Sequence, residues 1–354
     1  MTGSDFLGRA EAAAADLLRL SPAYAPTPLL DLSALAARLG VGRLLAKDEG
    51  RRMLGSFKSL GGTYAGLRAL ARLKGMDISG LLATRPGDLP ALICASDGNH
   101  GLAVAAAARL AGTSARIFLH RGVPAVRARR IEEQGGEIVW VQGTYDDAVA
   151  AAAAAAANAR AGTGILVADT TDDPGDPVVG DVMTGYGVIA AEVRQQAEAA
   201  GYPPPTHLFV QAGVGGLAAA MAGGLRDWLA PPATIVVVEP EKSACVAAAF
   251  AHDRVVRIAG DLQTAAEMLS CGEASAPAMD ILRRHRARVA TVSEADLLEA
   301  PRLLREGGGP ATTPSGAAGF AGLCHALSGR GGNFGLGRDS RVLVVITESD
   351  LASG

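Results

Sequence analysis

The 354-residue sequence predicts an α/β protein, with two intertwined open parallel-sheet domains covered by helices. Three observations carry this. From about residue 90 onwards, strand-like and helix-like segments alternate. The strand-like runs, such as Ala91-Leu92-Ile93-Cys94-Ala95 and Ile235-Val236-Val237-Val238, are apolar along their whole length, which is the pattern of strands buried on both faces. Two glycine-bearing loops each join such a strand to a helix. No internal repeat and no long linker interrupts the chain, so interleaved sheets fit better than two separate beads.

The elements follow in order. Asp5 to Arg19 has the periodicity of an amphipathic helix. Tyr24 to Leu30 is extended, because Pro26 and Pro28 restrict the residues before them. Leu32 to Leu39 is helical, and Arg43 to Glu49 is a short strand ending in charges. Gly55 to Gly62 is a loop that leads into a helix. Strand 91–95 is followed by a loop and a helix over Leu102 to Ala111. Strand 115–119, helix 124–134 and strand 137–141 repeat the alternation. The alanine run from Ala148 to Ala157 is a helix that packs on small side chains, and Gly164 to Asp169 is a further strand. A helix over Gly185 to Ala200, strand 207–211, a glycine loop with its helix, strand 235–239 and strand 341–346 complete the reading.

Composition removes several function classes. The chain is 49% hydrophobic and 19% charged, so it can bury a large core. A net charge of −3 and an aromatic content of 4% offer no basic or base-stacking surface, so no nucleic-acid partner is expected. The alanine run is far shorter than the ~20 residues of a membrane span, and no basic stretch followed by an apolar core opens the sequence. Neither a membrane nor a signal peptide is expected. Cys94, Cys245, Cys271 and Cys324 have no metal-ligand spacing and read as free thiols of a cytoplasmic protein. No metal site is expected.

Three segments carry chemistry. Ser96-Asp97-Gly98-Asn99-His100-Gly101 lies between a buried strand and a helix start, where loop amides and the helix dipole favour a carboxylate or phosphate. An ordinary strand-to-helix turn uses the same residue types. Ala212-Gly213-Val214-Gly215-Gly216-Leu217 is a glycine-lined phosphate cradle. It also fits a dinucleotide fingerprint, with Gly213, Gly215 and Ala218 in G-x-G-x-x-A and Glu239 ending the next strand, which would make the protein an NAD-dependent oxidoreductase. Lys58, one of only four lysines, sits in a glycine-bounded turn at a helix start. A cofactor with both a phosphate and an aldehyde accounts for all three segments, since only lysine among the cationic side chains does amine chemistry. Asp169, after a strand, is a candidate acid or base, and His100 a candidate substrate contact.

Taken with Tyr24-Ala25-Pro26-Thr27-Pro28-Leu29, Met183-Thr184-Gly185-Tyr186-Gly187, Val238-Glu239-Pro240, Cys271-Gly272-Glu273 and Ser315-Gly316-Ala317-Ala318-Gly319, these segments run in order over most of the chain. Together they resemble the fold-type-II pyridoxal-phosphate enzymes, the tryptophan-synthase-β-like superfamily. Within it the sequence is most similar to the diaminopropionate ammonia-lyase branch, through Lys58-Ser59-Leu60-Gly61-Gly62, Asp97 in the asparagine loop and Cys271-Gly272-Glu273. The resemblance implies a large cofactor-binding domain of residues 1–84 and 169–354 and a small mobile α/β domain of residues 85–168. It implies that Lys58 forms a Schiff base with pyridoxal 5'-phosphate, that Asn99 bonds the ring oxygen and that Gly213, Val214, Gly215, Gly216 and Leu217 cradle the phosphate. Thr347 would face the ring nitrogen. Ser96, Gly98 and His100 would surround the substrate carboxylate, and Asp97 and Asp169 would be the acid–base pair. The implied reaction is elimination of ammonia from 2,3-diaminopropionate, leaving pyruvate and a second ammonia. The alternative is a dehydratase or β-replacement enzyme acting on threonine, serine, 3-hydroxyaspartate or another β-substituted amino acid. A small amino-acid substrate and a homodimer are expected. Thr313 stands where a glutamate commonly precedes the Ser-Gly-Ala segment.

Overall fold

The computed structural model describes residues 3–96, 98–158, 163–330 and 332–350. Ten strands are formed among the described residues: β1 (Leu29–Asp31), β2 (Arg43–Asp48), β3 (Ala91–Ala95), β4 (Ala115–His120), β5 (Gly136–Val141), β6 (Gly164–Leu166), β7 (His207–Gln211), β8 (Thr234–Pro240), β9 (Arg288–Val292) and β10 (Arg341–Ile346). They make two sheets, one in the order β1-β2-β10-β7-β8-β9 and one in the order β5-β4-β3-β6. Every pairing is parallel except β1 with β2.

The continuous apolar runs have the expected cause. Leu208, Val210, Ile235, Val237, Leu343 and Val345 face one core. Their chain neighbours Phe209, Val236, Val238, Val342, Val344 and Ile346 face another on the opposite side of the same sheet. Alternate residues thus point to opposite buried faces, and no polar side of the strand is needed. In the smaller sheet, Ile93 and Phe118 meet Ala148 and Ala152 of the alanine-rich helix Tyr145–Asn158. The i, i+4 spacing of those two alanines puts a flat stripe on the strands.

Several boundaries differ from the sequence reading. The helix read from Gly185 begins at Pro177, where the Asp176 side chain accepts from the Val178 and Val179 amides and proline occupies the first turn. The helix read from Leu102 begins at Asn99, so Asn99 and His100 belong to its first turn. β9 and the short β1 were not assigned as strands. β9 carries arginine at its start and threonine inside, and only pairing with β8 makes it a strand. β1 gains its identity from β2 alone.

The topology gathers the singled-out segments. The loops after β2, β3, β6, β7 and β10 lead to Lys58, Asn99, Asp169, the glycine loop and Thr347 respectively. All five follow the carboxyl ends of parallel strands, the side on which open α/β sheets bind ligands.

Candidate active site

The path to Lys58 is held on both sides. Phe57 N donates to the Thr347 carbonyl at 3.1 Å and Ser349 N to the Gly55 carbonyl at 3.0 Å, so the end of β10 clamps the turn. Leu54 and Gly55, both at positive φ, reverse the chain just before it. Upstream, Arg52 bonds Glu49 and Glu192, and Lys47 donates to Glu192 at 2.6 Å and to the Thr27 carbonyl at 2.7 Å, all of them buried. Downstream lies the helix Lys58–Leu73. A Cβ on Gly61 would lie 2.3 Å from the Tyr186 ring, and one on Gly62 would lie 2.6 Å from the Ala103 Cβ. The paired glycines therefore let this helix press against helices Pro177–Ala199 and Asn99–Ala111 at once.

Lys58 Nζ meets Asp169 Oδ2 at 2.5 Å in a pocket of about 1020 Å³ that is partly open to solvent. Burial works most strongly against the Lys58 charge, but Asp169 foremost, with Tyr186 and Cys271, together outweigh it and the lysine pKa is raised. For Asp169, burial is likewise opposed, chiefly by the Lys58 ammonium, and its carboxyl is held well below the usual range. The Phe57 and Tyr186 rings pack at 4.8 Å, and Lys58 Nζ lies 5.4 and 5.6 Å from them. Burial pushes the Tyr186 hydroxyl up to about 12, against the pull of Lys58.

The remaining expected residues line the same pocket, with Asp97 lying outside the described residues. The amides of Val214, Gly215, Gly216 and Leu217 donate to no group among the described residues, and Gly215, at φ +98°, turns the loop into the helix Gly216–Leu225. They are the unpaired donors of a helix N-terminus, suited to a phosphate. Thr347 Oγ1 accepts from Gln211 Nε2 at 3.1 Å and donates to no acceptor among the described residues, so its proton is available to the pocket. Ser96 Oγ accepts from Gly98 N at 3.3 Å. His100 is anchored by Nε2 to the Val167 carbonyl at 2.8 Å, which ties it to the segment carrying Asp169. Burial lowers the His100 pKa.

Other pocket residues were not given a role by the sequence. Tyr186 lies inside one of the resembling segments and Gln211 ends a strand, but only packing reveals that one ring lies beside Lys58 and one amide braces Thr347. Glu348 gave no signal beyond its place after Thr347, yet its carboxyl accepts from Asn99 Nδ2 at 2.6 Å. Cys271 lines the pocket, and the Cys245 thiol donates to the Gly213 carbonyl. Glu239 corrects the dinucleotide alternative. Its carboxylate is fully buried and accepts from the Val246 and Ala247 amides, leaving nothing for a ribose.

A lysine, a phosphate cradle, a hydroxyl with a free proton and an amide side chain thus face one cavity, a donor set that fits pyridoxal phosphate. Comparison with known proteins agrees. The chain is 32% identical over 342 residues to a diaminopropionate ammonia-lyase of Escherichia coli (strain K12), spanning 92% of this chain and 85% of that one. It is 28% identical to a probable D-serine dehydratase of Paracidovorax citrulli (strain AAC00-1), over 88% and 72% of the two chains. A crystal structure of the Escherichia coli diaminopropionate ammonia-lyase, in complex with an aminoacrylate–PLP azomethine reaction intermediate, superposes with a TM-score of 0.83 at 29% identity, over 97% of this chain and 89% of that one. The family model of pyridoxal-phosphate dependent enzymes matches residues 20–348, from the last residue of the N-terminal helix Gly3–Leu20 to Glu348 in the pocket wall, and the chain belongs to that family.

Proposed function

We propose that this enzyme cleaves 2,3-diaminopropionate with water to pyruvate and two molecules of ammonia. The observation that carries the reading is the Lys58–Asp169 pair, set in the same pocket as the unpaired amides of Val214 to Leu217. Lys58 would hold the cofactor aldehyde covalently, those amides its phosphate, Asn99 its ring oxygen and Thr347 its ring nitrogen. When bound, pyridoxal phosphate supplies an electron sink at the substrate's α-carbon.

The protein's residues do the rest. Lys58 Nζ, once released by substrate, can take and return a proton. Asp169, deprived of its ammonium partner, becomes a buried carboxylate that can accept a proton or hold the departing amine's charge. With Asp97 it forms the acid–base pair of this reading. Ser96, Gly98 and His100 bind and orient the substrate carboxylate. Thr347 would offer the ring nitrogen a hydroxyl rather than a carboxylate, a partner that would favour elimination over transamination. Residues 85–168 form the small mobile domain, a division supported by a sheet drawn entirely from residues 91–166. A cytoplasmic homodimer belongs to the same reading. Among the described residues no helix is long and apolar enough to cross a membrane.

The test is an absorbance scan of protein incubated with pyridoxal phosphate, before and after L- or D-2,3-diaminopropionate, with Lys58→Ala beside it. A visible band that is absent from Lys58→Ala, shifts with diaminopropionate and is accompanied by pyruvate is the expected result. A band that responds to serine or threonine instead moves the reading to water elimination, as the likeness to the D-serine dehydratase would suggest. No band at all overturns it.

A further inference from the structure

Glu348 is a pocket carboxyl that the mechanism above leaves unused. It ends the segment after β10 and is 8% exposed. Its Oε2 accepts from Asn99 Nδ2 at 2.6 Å and its Oε1 from Thr313 Oγ1 at 2.5 Å. Thr313 Oγ1 in turn accepts from Gly316 N at 3.0 Å. Its backbone carbonyl accepts from Thr312 Oγ1, also at 2.5 Å. Glu348 makes no ion pair among the described residues. The cations that face it, Arg127 and Arg130 on helix Ala125–Glu133, are each anchored elsewhere, Arg127 to Glu267 and Arg130 to the Leu54 carbonyl. Two donors suit an ionised carboxylate, yet burial and the lack of a paired cation oppose that charge. Burial is the largest influence and raises its pKa, with Thr313 and Asn99 pulling the other way.

We propose that Glu348 is a positioning residue that fixes which end of the Asn99 side-chain amide faces the pocket and thereby sets the proton affinity of the lysine–cofactor link. The proposal rests on the reading of Lys58 and pyridoxal phosphate given above. Ionised, Glu348 takes one Asn99 N–H and holds the amide in the observed orientation. Protonated, it must donate. A proton on Oε2, the oxygen that faces Asn99, has Asn99 Oδ1 as its acceptor, and the amide turns over. The negative charge also favours a protonated link across the low-dielectric pocket.

The experiment compares the ratio of long- to short-wavelength bands of the cofactor-loaded enzyme from about pH 6 to about pH 10 in wild type, Glu348→Gln and Thr313→Val. Glutamine keeps the size and an acceptor for Asn99 but not the charge. The expected result is a retained cofactor with the ratio lowered about tenfold at fixed pH, equivalent to about one pH unit. Thr313→Val, which removes one of the carboxylate's donors, shifts the ratio the same way by less. A purely structural role would move the melting temperature and leave the ratio alone. Superimposable ratios in loaded variants overturn the proposal. Where Glu348→Gln does not fold, Thr313→Val decides by the same criterion. A wild type without any band would instead remove the cofactor reading on which the proposal stands.

Discussion

Replacing Asp169 by asparagine removes the charge opposite Lys58 while keeping an acceptor of the same shape. The pair is 2.5 Å apart, with side chains 22% and 15% exposed, so solvent screens it weakly. Breaking such a pair costs about 3 kcal/mol, the low end for buried pairs, which corresponds to about two pH units in Lys58. The sign follows from the influences on the lysine. Burial lowers its pKa, Asp169 raises it most among the opposing groups, and the variant loses that largest opposing influence. Free amine at neutral pH then rises roughly a hundredfold. The assay is the rate at which the visible band appears when cofactor-free protein meets pyridoxal phosphate, measured against pH. Its rising limb should move down by about two pH units. Turnover of the loaded variant should fall by roughly 10²–10⁴, the usual worth of a positioned acid or base. The pair also shapes stability. Lys58, raised when folded, contributes below its unfolded value near pH ~10.4 and loses that contribution above it. Asp169, lowered when folded, contributes above about pH 3.9 and loses it below. The cofactor-free wild type should therefore show a stability plateau between those limits that the variant lacks. A pH–rate limb that stays in place would refute the claim that Asp169 sets the charge on Lys58.

Gly61→Ala drives a methyl into the Tyr186 ring and should cost about 1–3 kcal/mol in denaturant unfolding, with a weakened visible band because the same helix starts at Lys58. Gly215→Ala puts a side chain at φ +98° in the cradle; cofactor affinity by fluorescence titration should fall roughly tenfold while Lys58 still reacts. Lys47→Met strips one cation from buried Glu192 and should cost about 3–5 kcal/mol, and a loss below about 1 kcal/mol would mean that Arg52 alone satisfies that carboxylate.

What the sequence made legible was what local chemistry determines. Whole-length apolar strands, glycine loops at strand ends and a lone lysine at a helix start led to parallel sheets and to Lys58, because each feature has few other uses. Asp176-Pro177 was an N-cap signature overlooked in a stretch that reads as turn, so one long helix began eight residues early. β9 was hidden because its short, mixed sequence becomes a strand only beside β8. Glu239 misled in the other direction. Its position after β8 matches a ribose-binding acid, and only the folded chain reveals that the next helix's amides consume both oxygens. Glu348 and Gln211 were invisible as site residues because their roles depend on partners 249 and 136 positions away.

The arrangement explains why Lys58 is not simply a residue on a loop. Lys58 stands after β2 of the larger sheet and Asp169 after β6 of the smaller, so their contact joins the two sheets through the site itself. Asn99, after β3, and Glu348, after β10, make a second such contact a short way along the same wall. Nearer the solvent, the ion pairs Arg127–Glu267, at the rim of the pocket, and Asp146–Arg257 again link residues that flank the smaller sheet to residues of the larger part. These outer pairs are screened by water and contribute little. The inner pairs are shielded, and their partners are the groups to which the proposed function gives chemical roles. Placing Lys58, Asp169 and the Asn99 amide at the meeting of two sheets therefore links the relative position of the sheets to the charge state of the pocket, whereas a pocket on one sheet edge would leave the two independent.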